Sequence, residues 1–281
     1  MTPLPQLLAS LRSQKLAIPA FNIDSWEIFQ SIVRSLRARP SPCIVQLSAG
    51  EDKFVEAENL FLLARRARID GLPIYLNMDH GQDPARLLSL VKLGFDMVHL
   101  DLSGKDYVTA VAQARDFVES AKSINPEVII ETEFNHINLV GADVDPSSWT
   151  DPAQAAEFAL TTKTDLLAVS IGNLHGVNTL APEKLDLDLL SAIRTSVPET
   201  LNFTLHGGSG LSAGDITAAI AQGVVKVNIN TDLRLQCKQS LLREINGTKS
   251  DKIYDYLSPV IDDLSTVVQQ KLLQFSPQNS Q

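Results

Sequence analysis

Residues 202–234 read NFTLHGGSGLSAGDITAAIAQGVVKVNINTDLR, and two strand–helix units are legible in them. The run 202–205 is short and mostly apolar, ends in His206-Gly207-Gly208-Ser209-Gly210, and gives way to a helical stretch at 213–222. Gly223 stops that helix, because glycine enters the left-handed region without steric cost. A second apolar run at 225–228 leads through Asn228-Ile229-Asn230-Thr231 into a helical stretch at 232–244. Neither run alternates strictly between apolar and polar residues, the pattern of a strand covered on both faces in a parallel sheet.

The same unit recurs towards the N-terminus. Strand-like runs lie at 17–21, 43–47, 74–78, 97–100, 128–133 and 166–170, and helical stretches at 26–37, 58–70, 84–93, 106–123, 152–161 and 186–195. In the second of these helices Leu60, Leu63, Ala64 and Ala67 form a stripe for burial, which leaves Arg65, Arg66 and Arg68 to water. Asp83-Pro84 and Asp151-Pro152 read as helix starts, and Gly71 and Gly94 as helix ends. Eight repeats within about 250 residues predict an α/β fold, a (β/α)8 TIM barrel. A doubly wound sheet would want glycines after its first strand, where this chain has Pro19-Ala20-Phe21-Asn22. Residues 253–275 add one or two extra C-terminal helices, and no linker divides the chain, so one domain over 1–281 is expected.

The 24 Lys and Arg against 33 Asp and Glu leave a net charge of −9, which argues against nucleic acid as a partner. Cys43 and Cys237 stand apart without metal-type spacing, and no stretch approaches membrane-spanning length, so a cytoplasmic protein without a membrane partner is expected.

Barrel active sites assemble at the C-terminal ends of the strands. Those ends carry Asn22, Ser48, Asp79-His80, Asp101 with Ser103, Glu133, the segment from Gly172 to His175, His206 with its glycines, and Asn228 to Thr231. The barrel brings His80, His175 and His206 to one mouth, where three imidazoles with an open fourth position describe a catalytic zinc site. His99 points to the interior, and His136 lies near the fifth strand. The Gly207–Gly210 turn and the neighbouring Asn228–Asp232 segment predict phosphate binding through backbone N–H groups. Asp79 can donate or accept a proton beside the metal. Asp101 and Glu133 can complete a second cation site, orient the histidines, or pair with Lys and Arg.

These residues, in this order and spacing over nearly the whole chain, resemble the class II, zinc-dependent fructose- and tagatose-bisphosphate aldolases. The most specific segments are Met78-Asp79-His80, Ser170 to Gly176 and Leu205 to Leu211. The resemblance implies that His80, His175 and His206 hold zinc, that Asp79 handles the proton of the hydroxyl on the aldehyde half, and that Asp101 and Glu133 match a second metal site. It implies that Gly176, Gly207, Gly208, Ser209, Asn228, Ile229, Asn230 and Thr231 bind dihydroxyacetone phosphate, with a monovalent cation such as Na+ or K+ nearby. Asn22 and Ser48 match polar rim positions, and Arg234 resembles a residue that in some members meets the distal phosphate, sometimes across a subunit contact. A homodimer or homotetramer that cleaves a phosphorylated ketose is the implied assembly and reaction.

Two departures stand out. Gly81 occupies a position where many members carry another histidine. The loop glutamate that abstracts the substrate proton in the family falls at Gly141, and Phe134-Asn135 replace small residues. Asp143 can take over as base, or the proton of a different substrate can pass to Asp79 or water. The alternatives are a phosphosugar- and metal-binding relative that has lost the base, or a metal-dependent sugar-phosphate epimerase.

Overall fold

A computed structural model of the chain describes residues 1–141, 146–174, 176 and 184–275. Eight parallel strands close in chain order: β1 Ile18–Asn22, β2 Cys43–Leu47, β3 Ile74–Gly81, β4 Met97–Asp101, β5 Ile129–Glu133, β6 Leu166–Ala168, β7 Asn202–Leu205 and β8 Val224–Ile229. The closing seam pairs Pro19 of β1 with Val227 of β8. Around the strands lie α1 Leu4–Gln14, α2 Trp26–Ala38, α3 Ala49–Val55, α4 Ala57–Ile69, α5 Pro84–Leu93, α6 Tyr107–Ile124, α7 Pro152–Thr162, α8 Leu187–Ser196, α9 Ala213–Ala221, α10 Thr231–Gly247 and α11 Ile253–Phe275. The expected (β/α)8 barrel is present, and the extra C-terminal residues form one long helix packed on α10 and α2.

The helix signals act as expected. Asp83 accepts the Ala85 N–H and Asp151 the Gln154 N–H, while Gly94 ends α5 at φ 112°. Arg68 departs from its expected place: its guanidinium turns inward, donating to the Ile74 carbonyl at 2.8 Å and to Asp96. Asp96 also accepts the Leu76 N–H at 2.7 Å, so the carboxylate ties the start of β3 to the start of β4.

Two helices escape the sequence reading, α1 and α3. Leu4, Leu8 and Leu11 share one face of α1 and pack against Ile18, Ala20, Ile44, Tyr75, Met97, Ile129, Leu166 and Val225. Those are residues of the N-terminal halves of the strands, so α1 plugs the bottom of the barrel, and the Tyr75 hydroxyl donates to the Thr2 carbonyl at 2.6 Å.

Above the plug the interior becomes polar. Successive inward positions are two residues apart in a strand, giving Tyr75-Asn77-Asp79 on β3, Met97-His99-Asp101 on β4 and Ile129-Glu131-Glu133 on β5. The apolar member of each set belongs to the bottom cluster, and the polar members climb towards the open mouth. Leu8 is 1% exposed at the centre of the plug. Leu8→Ala should lower the unfolding free energy by about 2–5 kcal/mol in chemical denaturation, and a loss below 1 kcal/mol would show that α1 docks without supporting the barrel.

Candidate active site

The strand ends meet around a cavity of about 470 Å³, within the range of small-molecule sites. Asp79 and His80 enter it together because β3 is bulged: its register with β4 shifts between Met78 and Gly81, and His80 adopts φ 50°. A positive φ at a non-glycine residue stores strain of about 1–3 kcal/mol, and here it turns two consecutive side chains into one cavity. Gly81, the departure from the expected histidine, packs against Leu87, whose Cδ2 would lie 2.5 Å from an added Cβ. Phe134, the other departure, stacks on Phe158 at a centroid distance of 4.7 Å and fills an apolar cluster instead of facing the site.

His80 Nε2 and His206 Nδ1 face each other at 3.0 Å. Tetrahedral zinc binds imidazole nitrogens at about 2.0–2.1 Å, which sets two ligand nitrogens about 3.3 Å apart. The remaining ring nitrogens are backed by carboxylates. His206 Nε2 lies 2.9 Å from Glu131 Oε1, and His80 Nδ1 lies 3.3 Å from Asp101 Oδ2 and 3.5 Å from Glu133 Oε2. With a proton held on each backed nitrogen, a cation that displaces the remaining proton of His80 would meet a lone pair on each facing nitrogen. Glu133 Oε2 is buried without a hydrogen-bond donor among the described residues, a further acceptor suited to a cation. The donor set therefore fits zinc. His175, the third expected ligand, and Asp143, the candidate base, lie outside the described residues.

Charge dictates protonation here. Burial, then the charge of neighbouring His80, pushes His206 down to about 3, so its ring is neutral and suited to metal. Burial would lower His80 as well, but Asp79, Asp101 and Glu133 outweigh it and raise its pKa to about 10. Burial also works against ionised Asp79, yet the charge of His80, the contact with His99 and the charge of Lys226 hold its carboxyl well below the usual range. Burial with the charges of Asp101 and Glu131 lifts Glu133 to about 7, against His80 and His99.

Beneath these groups lies a polar layer, of which the sequence reading placed only His99 in the interior. Glu131 Oε2 takes a hydrogen bond from Lys226 Nζ at 2.9 Å, and both side chains are inaccessible to solvent. Gln46 donates to Asp79 at 3.1 Å and to Asn22 at 2.9 Å, and itself accepts from Asn77 at 2.9 Å. Asn228 donates to Asp79 at 3.1 Å. His99 is buried as expected, taking the His80 N–H on Nδ1 at 3.1 Å. The two-residue spacing back from each polar strand end was the available signal for Gln46, Asn77, His99 and Glu131.

The expected phosphate segments are stitched together. Gly208 N–H donates to the Asn228 carbonyl at 3.2 Å, and Ser209 Oγ accepts the Asp232 N–H at 3.2 Å, capping α10. Gly207, at φ 74°, comes so close to Leu174 that an added Cβ would sit 1.9 Å from its carbonyl oxygen. The Gly210 N–H turns to the Gly207 carbonyl, while the N–H groups of Gly207 and Ser209 meet no acceptor among the described residues. Asn22, Ser48, Gly176, Gly207, Ser209, Asn228, Asn230, Thr231 and Arg234 line the cavity with Asp79, His80, Asp101, Glu133 and His206. Gly208 and the buried Ile229 stand behind that wall. Gln82, Ser103, His136, Ile137 and Leu139 line it in addition.

A family model described as fructose-bisphosphate aldolase class-II matches residues 2–280. The chain is 30% identical to a fructose-bisphosphate aldolase of Thermus caldophilus, with 95% of each sequence covered. It is 34% identical to the D-tagatose-1,6-bisphosphate aldolase subunit GatY of Klebsiella oxytoca, with 82% of each covered. Its fold is similar to that of the YdjI aldolase from Escherichia coli K12, with a TM-score of 0.83, 24% identity and coverage of 98% and 97%. It is also similar to that of the fructose-bisphosphate aldolase from Campylobacter jejuni, with a TM-score of 0.78, 20% identity and coverage of 97% and 93%. A match to the family model over nearly its full length, with relatives at 30% identity or more, makes this chain a member of the class-II fructose-bisphosphate aldolase family.

Proposed function

We propose that the chain is a zinc-dependent aldolase that reversibly cleaves a phosphorylated ketose into dihydroxyacetone phosphate and an aldehyde. The observation that carries this reading is the approach of His80 Nε2 to His206 Nδ1 at 3.0 Å beside ionised Asp79. With His175, these two imidazoles would hold the zinc, which when bound supplies Lewis-acid stabilisation of the oxyanion formed next to the ketone. On zinc binding His80 would give up its extra proton, and the imidazoles, then neutral, would leave the ion its full charge for that role.

Asp79 takes the proton from the substrate hydroxyl on the aldehyde half during cleavage and returns it during synthesis. Gln46 and Asn228 hold its two oxygens, so the carboxylate is oriented before substrate arrives. The Gly207 and Ser209 N–H groups, with Gly176, Asn230 and Thr231, bind the phosphate of the dihydroxyacetone half. Asn228 Oδ1 and Asn230 Oδ1, buried without a donor among the described residues, offer oxygens to a monovalent cation. Asp101 and Glu133 back His80, and with it they form a second group of candidate ligands. Asp143 serves as the loop base in place of the family's glutamate. The enzyme works in the cytoplasm as a single-domain subunit of a homodimer or homotetramer.

A screen of ketose phosphates with dihydroxyacetone phosphate as the detected product tests the reaction; the activity found should vanish with EDTA and return with zinc, and EDTA-resistant cleavage would refute the metal role. His206→Ala should take up no zinc in equilibrium dialysis. Glu131→Gln, which leaves all proposed ligands in place, should weaken zinc binding by about 10–100-fold in a competition titration. Asp143→Ala should lower turnover by about 100-fold or more, and unchanged turnover would remove Asp143 from the chemistry.

A further inference from the structure

The bulge in β3 has a single residue opposite it. Met78 pairs with Val98 and Gly81 with Leu100, so two residues of β3, Asp79 and His80, stand across from one residue of β4, His99. A bulge takes its extra residue off the ladder of strand hydrogen bonds, and a backbone N–H left inside a barrel needs another acceptor. The His80 N–H finds it in a side chain, donating to His99 Nδ1 at 3.1 Å. His99 itself sits in the regular β4–β5 register, opposite Glu131, so the acceptor is fixed and β3 bends to it. The ring is inaccessible to solvent and packs against His80 and His206, with centroids 4.7 and 5.2 Å apart.

A backbone N–H can only donate, whatever the charge on the His80 ring, so the lone pair of His99 sits on Nδ1 and its proton on Nε2. Nδ1 also lies 3.4 Å from Asp79 Oδ1 and 3.5 Å from Glu131 Oε1. Each of those oxygens has a closer donor, Asn228 at 3.1 Å for Asp79 and His206 at 2.9 Å for Glu131. Asp79 therefore keeps its hydrogen bonds from Asn228 and Gln46, and the charges of His80 and Lys226, without a proton on Nδ1. On the other side of the ring, Nε2 faces Glu133 Oε2 at 3.6 Å, and Glu133 Oε2 lies 3.5 Å from His80 Nδ1. His99 thus stands against both the backbone and the side-chain surroundings of His80. On a regular strand Asp79 and His80 would point to opposite faces. We propose that His99 is a positioning residue, whose Nδ1 lone pair holds β3 in its bulged form and so keeps both Asp79 and His80 turned into the cavity. Its effect on zinc binding rests on the aldolase reading above; the hydrogen bond does not.

Two substitutions separate the lone pair from the ring that carries it. His99→Asn places Oδ1 where Nδ1 stands, bonded to Cγ, and keeps an acceptor for the His80 N–H. His99→Leu places a methyl group there. In a competition titration against a chelator, His99→Leu should bind zinc about 10-fold or more weakly than the wild type. His99→Asn should recover most of that loss, although it fills the space less well. Wild-type affinity in His99→Leu, or an equal loss in the two variants, overturns the proposal. Should His99→Leu fail to fold, the metal-free wild type decides. Nuclear magnetic resonance with nitrogen-labelled protein should show a coupling across the hydrogen bond between the His80 amide and an unprotonated His99 Nδ1, and a proton on Nδ1 overturns the proposal. If that coupling is present and the wild type takes up no zinc, the aldolase reading falls and the bracing of the bulge by His99 stands.

Discussion

One carboxylate holds the centre of this molecule together. Glu131, sealed inside the barrel, stands between Lys226 Nζ and His206 Nε2 at 2.9 Å from each. Three groups that would each be costly to bury alone become tolerable together, because every charge has a counter-charge and a hydrogen bond. Removing one member of such a set typically costs about 3–5 kcal/mol, since it strands the others. The arrangement also has a direction. Lys226 keeps Glu131 ionised, Glu131 holds the proton of His206 on Nε2, and the opposite nitrogen is thereby left to face His80 and the cavity. The ion pair at the barrel axis is thus also the support of the site above it.

From Glu131 the polar contacts continue across the barrel. His206 meets Asn228, Asn228 meets Asp79, Asp79 meets Gln46, Gln46 meets Asn22, and Asn22 meets Glu51. Side chains from β8, β7, β5, β3, β2, β1 and α3 are linked in one hydrogen-bonded chain. Such a network is favourable only when nearly every member is satisfied. It therefore links Asp79, the group proposed to handle the proton, to Arg234 at the rim through Gln46, Asn22 and Glu51. The plug formed by α1 keeps water from the lower end, which preserves the strength of these contacts.

Much of this was legible in sequence, and what was not has a physical reason. The strand–turn–helix rhythm, the helix caps at Asp83 and Asp151, and the polar strand ends survive because each is a local signal. Asp79 and His80 were ambiguous, since adjacent residues on a regular strand point to opposite faces, and only a bulge with His80 at φ 50° brings them together. Glu131, Lys226 and Gln46 sit mid-strand among apolar residues, where charge reads as an exception instead of a layer. Their meaning depends on which strands become neighbours across the axis, and that is a property of closure. Glu51 was missed for a similar reason: its partners come from β1, the start of α3 and the start of α10, distant in sequence and adjacent only at the rim.

The same contrast bears on how the site departs from its family. Phe134 and Gly81 break expected patterns, yet each is absorbed by local packing, Phe134 against Phe158 and Gly81 against Leu87. Neither change disturbs the pairing of His80 with His206 or the hydrogen bonds to Asp79. The groups that must act on charge near the reacting carbons stand on strand ends, fixed by the barrel. The side chains that shape the rim of the cavity stand on α10 and the loops around it and α3. A change there, such as a carboxylate placed against Arg234, alters the field met by the substrate without moving the metal-binding rings. The metal-binding candidates and the rim are therefore built separately in this fold, because closed strands fix the first and side chains of the surrounding loops and helices form the second.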